Sequence, residues 1–190
     1  MCIRDSPSTQ DILEAVNKVP AETVFVLPNN KNIIMAAQQV DALTPKNVVV
    51  IGSKTVPQGV TAMLNFNPEG SVEENTQAMT DVLGSVETMQ ITYAARNSDF
   101  DGYDIHEGDY LAMDGKGLFG TSKDITVLLK GLAEKARDDG REFITIYYGA
   151  DTKEKHAQKA ADLFADICPN ADVNLINGGQ PVYYYMISAE

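Results

Sequence analysis

Two short runs, Val24-Phe25-Val26-Leu27 and Val48-Val49-Val50-Ile51, constrain this chain more than any other feature. Neither shows the polar alternation of a half-exposed strand. A strand apolar on both faces must be covered on both, which argues a parallel sheet sandwiched by helices. Helical segments stand where that arrangement needs them. Ser8-Thr9-Gln10-Asp11 opens one in capping-box style, with Ile12, Leu13, Ala15, Val16 and Val19 as its stripe and Pro20 as its stop. Asn30 can cap the next, where Ile33, Ile34, Ala37, Val40 and Leu43 keep a 3.6-residue period up to Pro45. Gly52 to Gly59 reads as a loop, Val60 to Phe66 as a short apolar stretch, and Asn67 to Gly70 as a turn. Val72 to Val86 reads as a third helix.

The second half changes style. Gln90 to Arg96 is a half-exposed strand. Gly102 to Ala112 and Lys116 to Thr121 read as antiparallel strands turning at Asp114-Gly115. Ser122 is expected to cap a long helix ending before Gly140, and Asp151 to Glu154 a second one through Ile167. Strands are expected at Phe143 to Tyr147, Val173 to Ile176 and Val182 to Ile187. The chain therefore divides into an α/β part over 8–86 and an α+β part over 87–190. Met1 to Ser6 fits no pattern in the rest of the chain and resembles a cloning or sequencing scar, so 1–7 is read as a non-native or disordered tail.

Charge narrows the partners. Fifteen basic residues against 27 acidic give −12. Nucleic acid and anionic membrane surfaces both call for clustered Lys and Arg and are poor partners for such a chain, so no nucleic acid is expected. Residues 86–190 carry 18 acids and ten bases, hence −8 of the total. The longest apolar runs are four or five residues, against roughly 20 for a membrane span, so no membrane insertion is expected. Two cysteines, Cys2 and Cys168, make no disulfide framework, and a reducing cytoplasm is the default location.

Catalytic signals are missing. Gly52-Ser53-Lys54-Thr55 resembles the end of a phosphate loop, but no glycine stands five residues ahead of Gly52. No nucleophile elbow occurs, and His106 and His156 are 50 residues apart with no ligand spacing. Cys168 reads as a small packing residue at a helix end. Four loops at strand ends remain as candidate surfaces. Asn29 and Asn30 follow the first strand, where helix-start amides can hold a partner or simply receive a cap. Lys54, Pro57 and Gln58 follow the second. Asp99, Asp101, Asp104, Glu107, Asp109 and Asp114 form an acidic stretch with no Lys or Arg from 97 to 115. That stretch is either a solvated hairpin or the wall of an acidic groove. Gln180 lies in Asn177-Gly178-Gly179-Gln180-Pro181, and Tyr183 follows it as a possible interface anchor.

Taken together, "LPNNKNIIMAA", "SKTVPQG", "FNPE", "ITYAARNSDFDGYDIHEGDYLAMDGK", "ITIYYGAD" and "NGGQPVYYYMISAE" resemble the C-terminal domain of the bacterial fatty acid kinase A subunit. The resemblance implies two DegV-like subdomains, the first a helix-covered, mostly parallel sheet and the second an α+β sheet with two long helices. It implies a homodimeric parent that binds ATP and magnesium in an N-terminal domain and carries Cys/His catalytic residues in a middle domain. No cofactor is expected in this chain. The parent phosphorylates a fatty acid carried by a separate DegV-type binding protein, giving an acyl phosphate for phospholipid synthesis. The C-terminal domain docks that carrier through an acidic groove that receives a basic wedge. By the same resemblance, Pro28-Asn29-Asn30 and Gly178-Gly179-Gln180-Pro181 stand where a DegV-type carrier holds its lipid. They offer no Ser hydroxyl and His pair, so loss of the lipid site is expected. The rivals are a lipid carrier with an apolar tunnel capped by Asn29, Asn30 and Gln180, and a small phosphotransferase.

Overall fold

The computed structural model describes residues 6–100 and 102–190. Most of the suspected tail, with Cys2, and Asp101 of the acidic stretch therefore lie outside the described residues. The chain forms two compact units, Met1–Val86 and Glu87–Glu190.

The first unit is built on β1 (Thr23–Val26) and β2 (Asn47–Val50), which pair in parallel with Val24 opposite Val48. Even-numbered strand residues face one helical layer and odd-numbered residues the other. Val24 and Val48 pack with Ile12 and Val16 of α1 (Thr9–Lys18) and with Ile33 and Ala37 of α2 (Lys31–Gln38). Phe25 and Val49 pack with Ala62 of α3 (Val56–Leu64) and Met79 of α4 (Val72–Asp81). This is the covered parallel pair that the apolar runs demand.

Local chemistry fixes the helix starts. Ser8 and Asp11 form a reciprocal capping box at α1, and Asn30 accepts from the amides of Asn32 and Ile33 at α2. The expected loop over 52–59 is corrected. Thr55 accepts from the Gln58 amide at 3.3 Å, Pro57 sits in the first turn, and α3 begins at Val56. Proline at a helix start costs no hydrogen bond, which is why this Pro opens a helix rather than breaking one.

The second unit holds one six-stranded sheet, ordered β7-β6-β3-β10-β8-β9. Its strands are β3 (Glu87–Tyr93), β6 (Tyr110–Asp114), β7 (Gly117–Ser122), β8 (Phe143–Tyr148), β9 (Asp172–Asn177) and β10 (Tyr185–Ala189). All neighbours are antiparallel except β8 and β9. The helices α5 (Ile125–Asp138) and α6 (Glu154–Ile167) bury Leu128, Leu132, Ala160 and Phe164 into a single core with Ile91, Ile146 and Ile187. Cys168 belongs to that core, and its Sγ–H donates to the Ala133 carbonyl. Burial pushes its thiol up, away from the reactive range.

Several expected boundaries change here. The helix expected over 72–86 ends at Asp81 and passes into a 3-10 turn, and the strand expected over 90–96 runs Glu87–Tyr93. The strand expected over 102–112 is two strands, because residues 106–109 turn. Gly108 is left-handed at φ +86°, and β5 (Tyr103–Ile105) pairs instead with β4 (Ser98–Phe100). Asp124, not Ser122, caps α5, accepting from the Thr126 amide at 2.9 Å while Ser122 ends β7. Lys153 stands at the start of α6 with no side-chain cap, so the box expected at 151–154 does not form. No helix among the described residues is long and apolar enough to cross a membrane.

Candidate functional site

The acidic stretch is a small hairpin built in two faces. Across β4 and β5, Asp99 stands opposite Asp104 and Phe100 opposite Tyr103. Residues directly opposite share a face, so the two carboxylates point one way together. The other face is anchored. Ile105 is buried, and the Tyr103 hydroxyl donates to the Phe119 carbonyl at 3.2 Å. Asp99, Asp104 and Glu107 are exposed. Like charges directly opposite each other work against a strand pair.

Asp109 does not share that face. Its side chain is 9% exposed against 84% for Asp104. Its carboxylate accepts from the His106 amide at 2.9 Å and closes the 106–109 turn. Spacing along the acidic run could not reveal this; the cue was His-Glu-Gly-Asp, an Asp closing back onto a glycine turn. His106 lies between the two, with Nε2 3.8 Å from Asp104 and Nδ1 3.7 Å from Asp109.

Gln180 and Tyr183 belong to a strained loop. Val182 adopts φ +72°, rare for a β-branched residue, and Thr92 Oγ1 donates to its carbonyl at 2.9 Å. The loop crosses Gly149 so closely that a Cβ there would collide with the Tyr183 carbonyl oxygen. Gln180 is tied inward, its amide donating to the Tyr147 carbonyl at 3.0 Å. The last strand therefore starts at Tyr185 and not at Val182. Tyr184 packs edge-on against Tyr110 and Tyr93, at 5.3 and 6.3 Å, and Tyr183 is half-buried.

In the first unit, Asn29 and Asn30 meet at the rim of an apolar trough of about 910 Å³. One wall is the α1 stripe of Ile12, Val16 and Val19. The opposite wall is Val56, Val60, Met63 and Leu64 of α3. The loop reading of 52–59 hid that second wall, although Val56, Val60, Met63 and Leu64 fall at i, i+4, i+7 and i+8 after Thr55. Lys54, Pro57 and Gln58 lie outside the trough lining. Lys54 is exposed, Pro57 is buried, and Gln58 is internal, accepting from the Lys54 amide and donating to the Leu83 carbonyl.

The resemblance of Gly52 to Thr55 to a phosphate loop fails on geometry. Ser53 is fully buried with its hydroxyl donating to Pro28, and its amide donates to Ile51. The groups that would cradle a phosphate are already engaged. Among the described residues no three His, Cys, Asp or Glu side chains converge to hold a metal ion.

Comparison with known proteins agrees with this architecture. The family model for the C-terminal region of fatty acid kinase A-subunit-like proteins matches residues 4–190. Protein YloV of Bacillus subtilis is 39% identical over 185 residues, covering 97% of this chain and 34% of YloV. An uncharacterized protein of Staphylococcus haemolyticus is 31% identical with the same coverage. The chain thus spans about a third of the length of the curated relatives it matches. Among solved structures, the fatty acid kinase B3 protein of Streptococcus pneumoniae, loaded with linoleic acid, superposes with a TM-score of 0.71 at 14% identity, covering 97% of this chain and 76% of that one. A DegV family protein from Eubacterium eligens, loaded with heptadecanoic acid, also gives 0.71, at 17% identity and with 97% and 78% covered. The fold is DegV-like α/β, and the chain belongs to the C-terminal family of fatty acid kinase A-subunit-like proteins.

Proposed function

We propose that this chain is the docking part of a fatty acid kinase, receiving a DegV-type fatty-acid-binding protein on an acidic face. The observation that carries the proposal is the β4–β5 hairpin, where Asp99 and Asp104 stand directly opposed and exposed, with Glu107 exposed in the turn that follows. An exposed acidic face with no Lys or Arg in its own segment is suited to steering a basic partner. In the longer relatives the γ-phosphoryl of ATP would pass to a carboxylate oxygen of the carried acyl chain, leaving ADP. ATP and magnesium belong, on this reading, to a part of the parent that this chain does not span. The work of these residues is to bind and orient.

The test is titration of this chain with a DegV-type fatty-acid-binding protein at low and high salt. One-to-one binding that weakens with salt is expected. Reversing Asp99 and Asp104 to Lys should weaken low-salt affinity on the order of tenfold or more. Unchanged affinity at low salt sinks the placement of the docking face. Asp109 is left alone, because its reversal would open the 106–109 turn. The trough supports a second reading, a carrier that holds an acyl chain itself. Uptake of oleate by the isolated chain would favour it.

A further inference from the structure

Three tyrosines gather where β3 ends and β6 begins. Tyr93 stands directly opposite Tyr110 in the sheet, so the two rings share a face. Tyr184 meets both edge-on, with ring centroids 5.3 Å from Tyr110 and 6.3 Å from Tyr93. Tyr110 and Tyr184 rest against the core of the second unit, while Tyr93 is 43% exposed. Tyr103 anchors its hydroxyl on the Phe119 carbonyl. Among the described residues no such bond holds the hydroxyl of Tyr110 or Tyr184, and neither is buried without a partner, so both reach solvent. A single exposed tyrosine is ordinary. Three rings in contact, wet at one end and backed by a core at the other, make the kind of anchor that interfaces use.

The rings are set before any partner arrives. The Tyr184 amide donates to the Ile91 carbonyl at 2.8 Å, and the Tyr184 carbonyl accepts from the Gly149 amide at 2.9 Å and from Thr152 Oγ1 at 3.1 Å. Alternation along an unbroken strand would put Tyr184 on the face opposite Tyr185, away from the core. Here both pack against it, because Val182, at φ +72°, breaks the extended run two residues earlier. That strained conformation is held from outside by Thr92. A backbone held this firmly leaves only the two side-chain torsions of each ring to order on binding.

Carboxylates flank the cluster. On one side, the loop that hydrogen-bonds the Tyr184 carbonyl carries exposed Asp151. Burial pushes the Tyr184 phenol up, and Tyr110, Asp151 and Tyr93 add to the shift, so the four groups lie within electrostatic reach of one another. On the other side, Ala94, next to Tyr93, is hydrogen-bonded through both amide and carbonyl to the 106–109 turn, which carries exposed Glu107. A ring face attracts a cation through its quadrupole, and a nearby carboxylate adds its charge. Arginine suits both at once. Its planar guanidinium stacks on a ring while its edge donates to a carboxylate, where lysine offers a point charge. A nucleobase would also stack, but the 18 acids and ten bases of residues 86–190 repel its phosphates. We propose that Tyr93, Tyr110 and Tyr184 form a platform that seats an arginine side chain of a basic protein partner, with Tyr93 giving the open ring face and Asp151 the carboxylate. The proposal deepens the docking role and rests on it, and it places the aromatic anchor at Tyr93, not at Tyr183.

Two measurements test it. In the first, this chain is titrated with a DegV-type fatty-acid-binding protein at low salt. Tyr93→Leu keeps an apolar side chain at an exposed site and should weaken binding about fivefold or more, while Tyr93→Phe, which keeps the ring, should stay within about twofold of the unaltered chain. The salt dependence should stay as steep in Tyr93→Leu, because a ring carries no net charge, and should flatten when Asp99 and Asp104 are reversed to Lys. Equal binding by Tyr93→Leu overturns the platform and leaves the acidic face standing. An equal loss in the Leu and Phe variants moves the contact to the hydroxyl and overturns it as well. In the second, ring-proton magnetic resonance follows the unaltered chain titrated with acetyl-arginine amide, acetyl-lysine amide and methyl glucoside. The Tyr93, Tyr110 and Tyr184 ring signals should shift with the arginine derivative, less with the lysine derivative, and not with the sugar. Shifts led by the sugar make the cluster a carbohydrate site and overturn the proposal. If the binding protein fails to bind the unaltered chain at low salt, the docking role falls by itself; ring shifts led by arginine then keep the platform, and their absence overturns it too.

Discussion

The two units differ in the size of the core that holds their helices. In the second, one sheet of six strands supports a contiguous core of 18 buried residues among those described. Its helix α6 runs 14 residues with no side-chain cap and buries Ala157, Ala160, Ala161 and Phe164. In the first, two strands separate clusters of seven and three buried residues. Each of the four α-helices described there begins on a side-chain cap, from Ser8, Asn30, Thr55 or Ser71. Both units use caps and packing, Asp124 capping α5 in the second, but the apolar core is larger in the second unit. A well-packed sheet can also tolerate local cost, and the second unit holds both the strained Val182 and the opposed carboxylates.

The largest effect expected is Phe164→Ala, since the ring is fully buried at the centre of the larger core. Truncation should cost about 3–5 kcal/mol. Urea unfolding followed separately in each unit should show the loss in the second alone. A loss shared equally by both units would end the claim that their cores are separate.

Titration sharpens the contrast from both ends of the pH scale. Burial pushes the Tyr185 phenol up to about 12 from its ordinary 10.0, with Tyr110 adding to it. The folded form keeps its proton where the unfolded chain has lost it. This contribution, about 2–3 kcal/mol, is intact below pH 10 and is lost as pH rises through about 12. Near-ultraviolet spectra should report alkaline loosening of the second unit. Acid acts on the first. The Ser8 hydroxyl and amide hold Asp11 below the usual carboxylate range, and the Ser71 amide and hydroxyl do the same for Glu74. Their contribution is present above the ordinary carboxylate range and is lost as pH falls through the lowered folded values. Ser71→Ala should cost about 1 kcal/mol at neutral pH and flatten that acid limb.

Separation along the chain decides what the sequence could disclose. Devices made of adjacent residues were legible. The Ser8–Asp11 box, the Asn30 cap and the apolar runs of β1 and β2 stand where the pattern puts them. Features made by distant residues were not. Gly149 is required by a carbonyl 34 positions away, and nothing near it in sequence says so. Val182 leaves the extended conformation because Thr92 holds its carbonyl from 90 residues upstream. The trough needed α3 to be recognised as a helix, and Gly52 and Gly59 drew the reading toward a loop. Of the acidic face, the charge run was visible, but which carboxylates point outward depended on the Asp99–Asp104 register and on the turn that draws Asp109 in.

The smallest effect expected is at that register, and it separates stability from recognition. Asp99→Asn removes one of two like charges held directly opposite each other, while Tyr103 and Ile105 keep the hairpin anchored. Asp99 is the better choice than Asp104, whose carboxylate also lies near His106. A residue kept only for the fold should be no worse as a carboxylate than as its amide. If the charge is kept for a partner, Asp99→Asn should raise thermal stability by about 0.2–1 kcal/mol at low salt, and the gain should shrink as salt screens the pair. Affinity for a basic partner should fall in the same variant. A variant that loses stability would show that the carboxylate holds the hairpin itself, and the first explanation for the acidic run would then be structural.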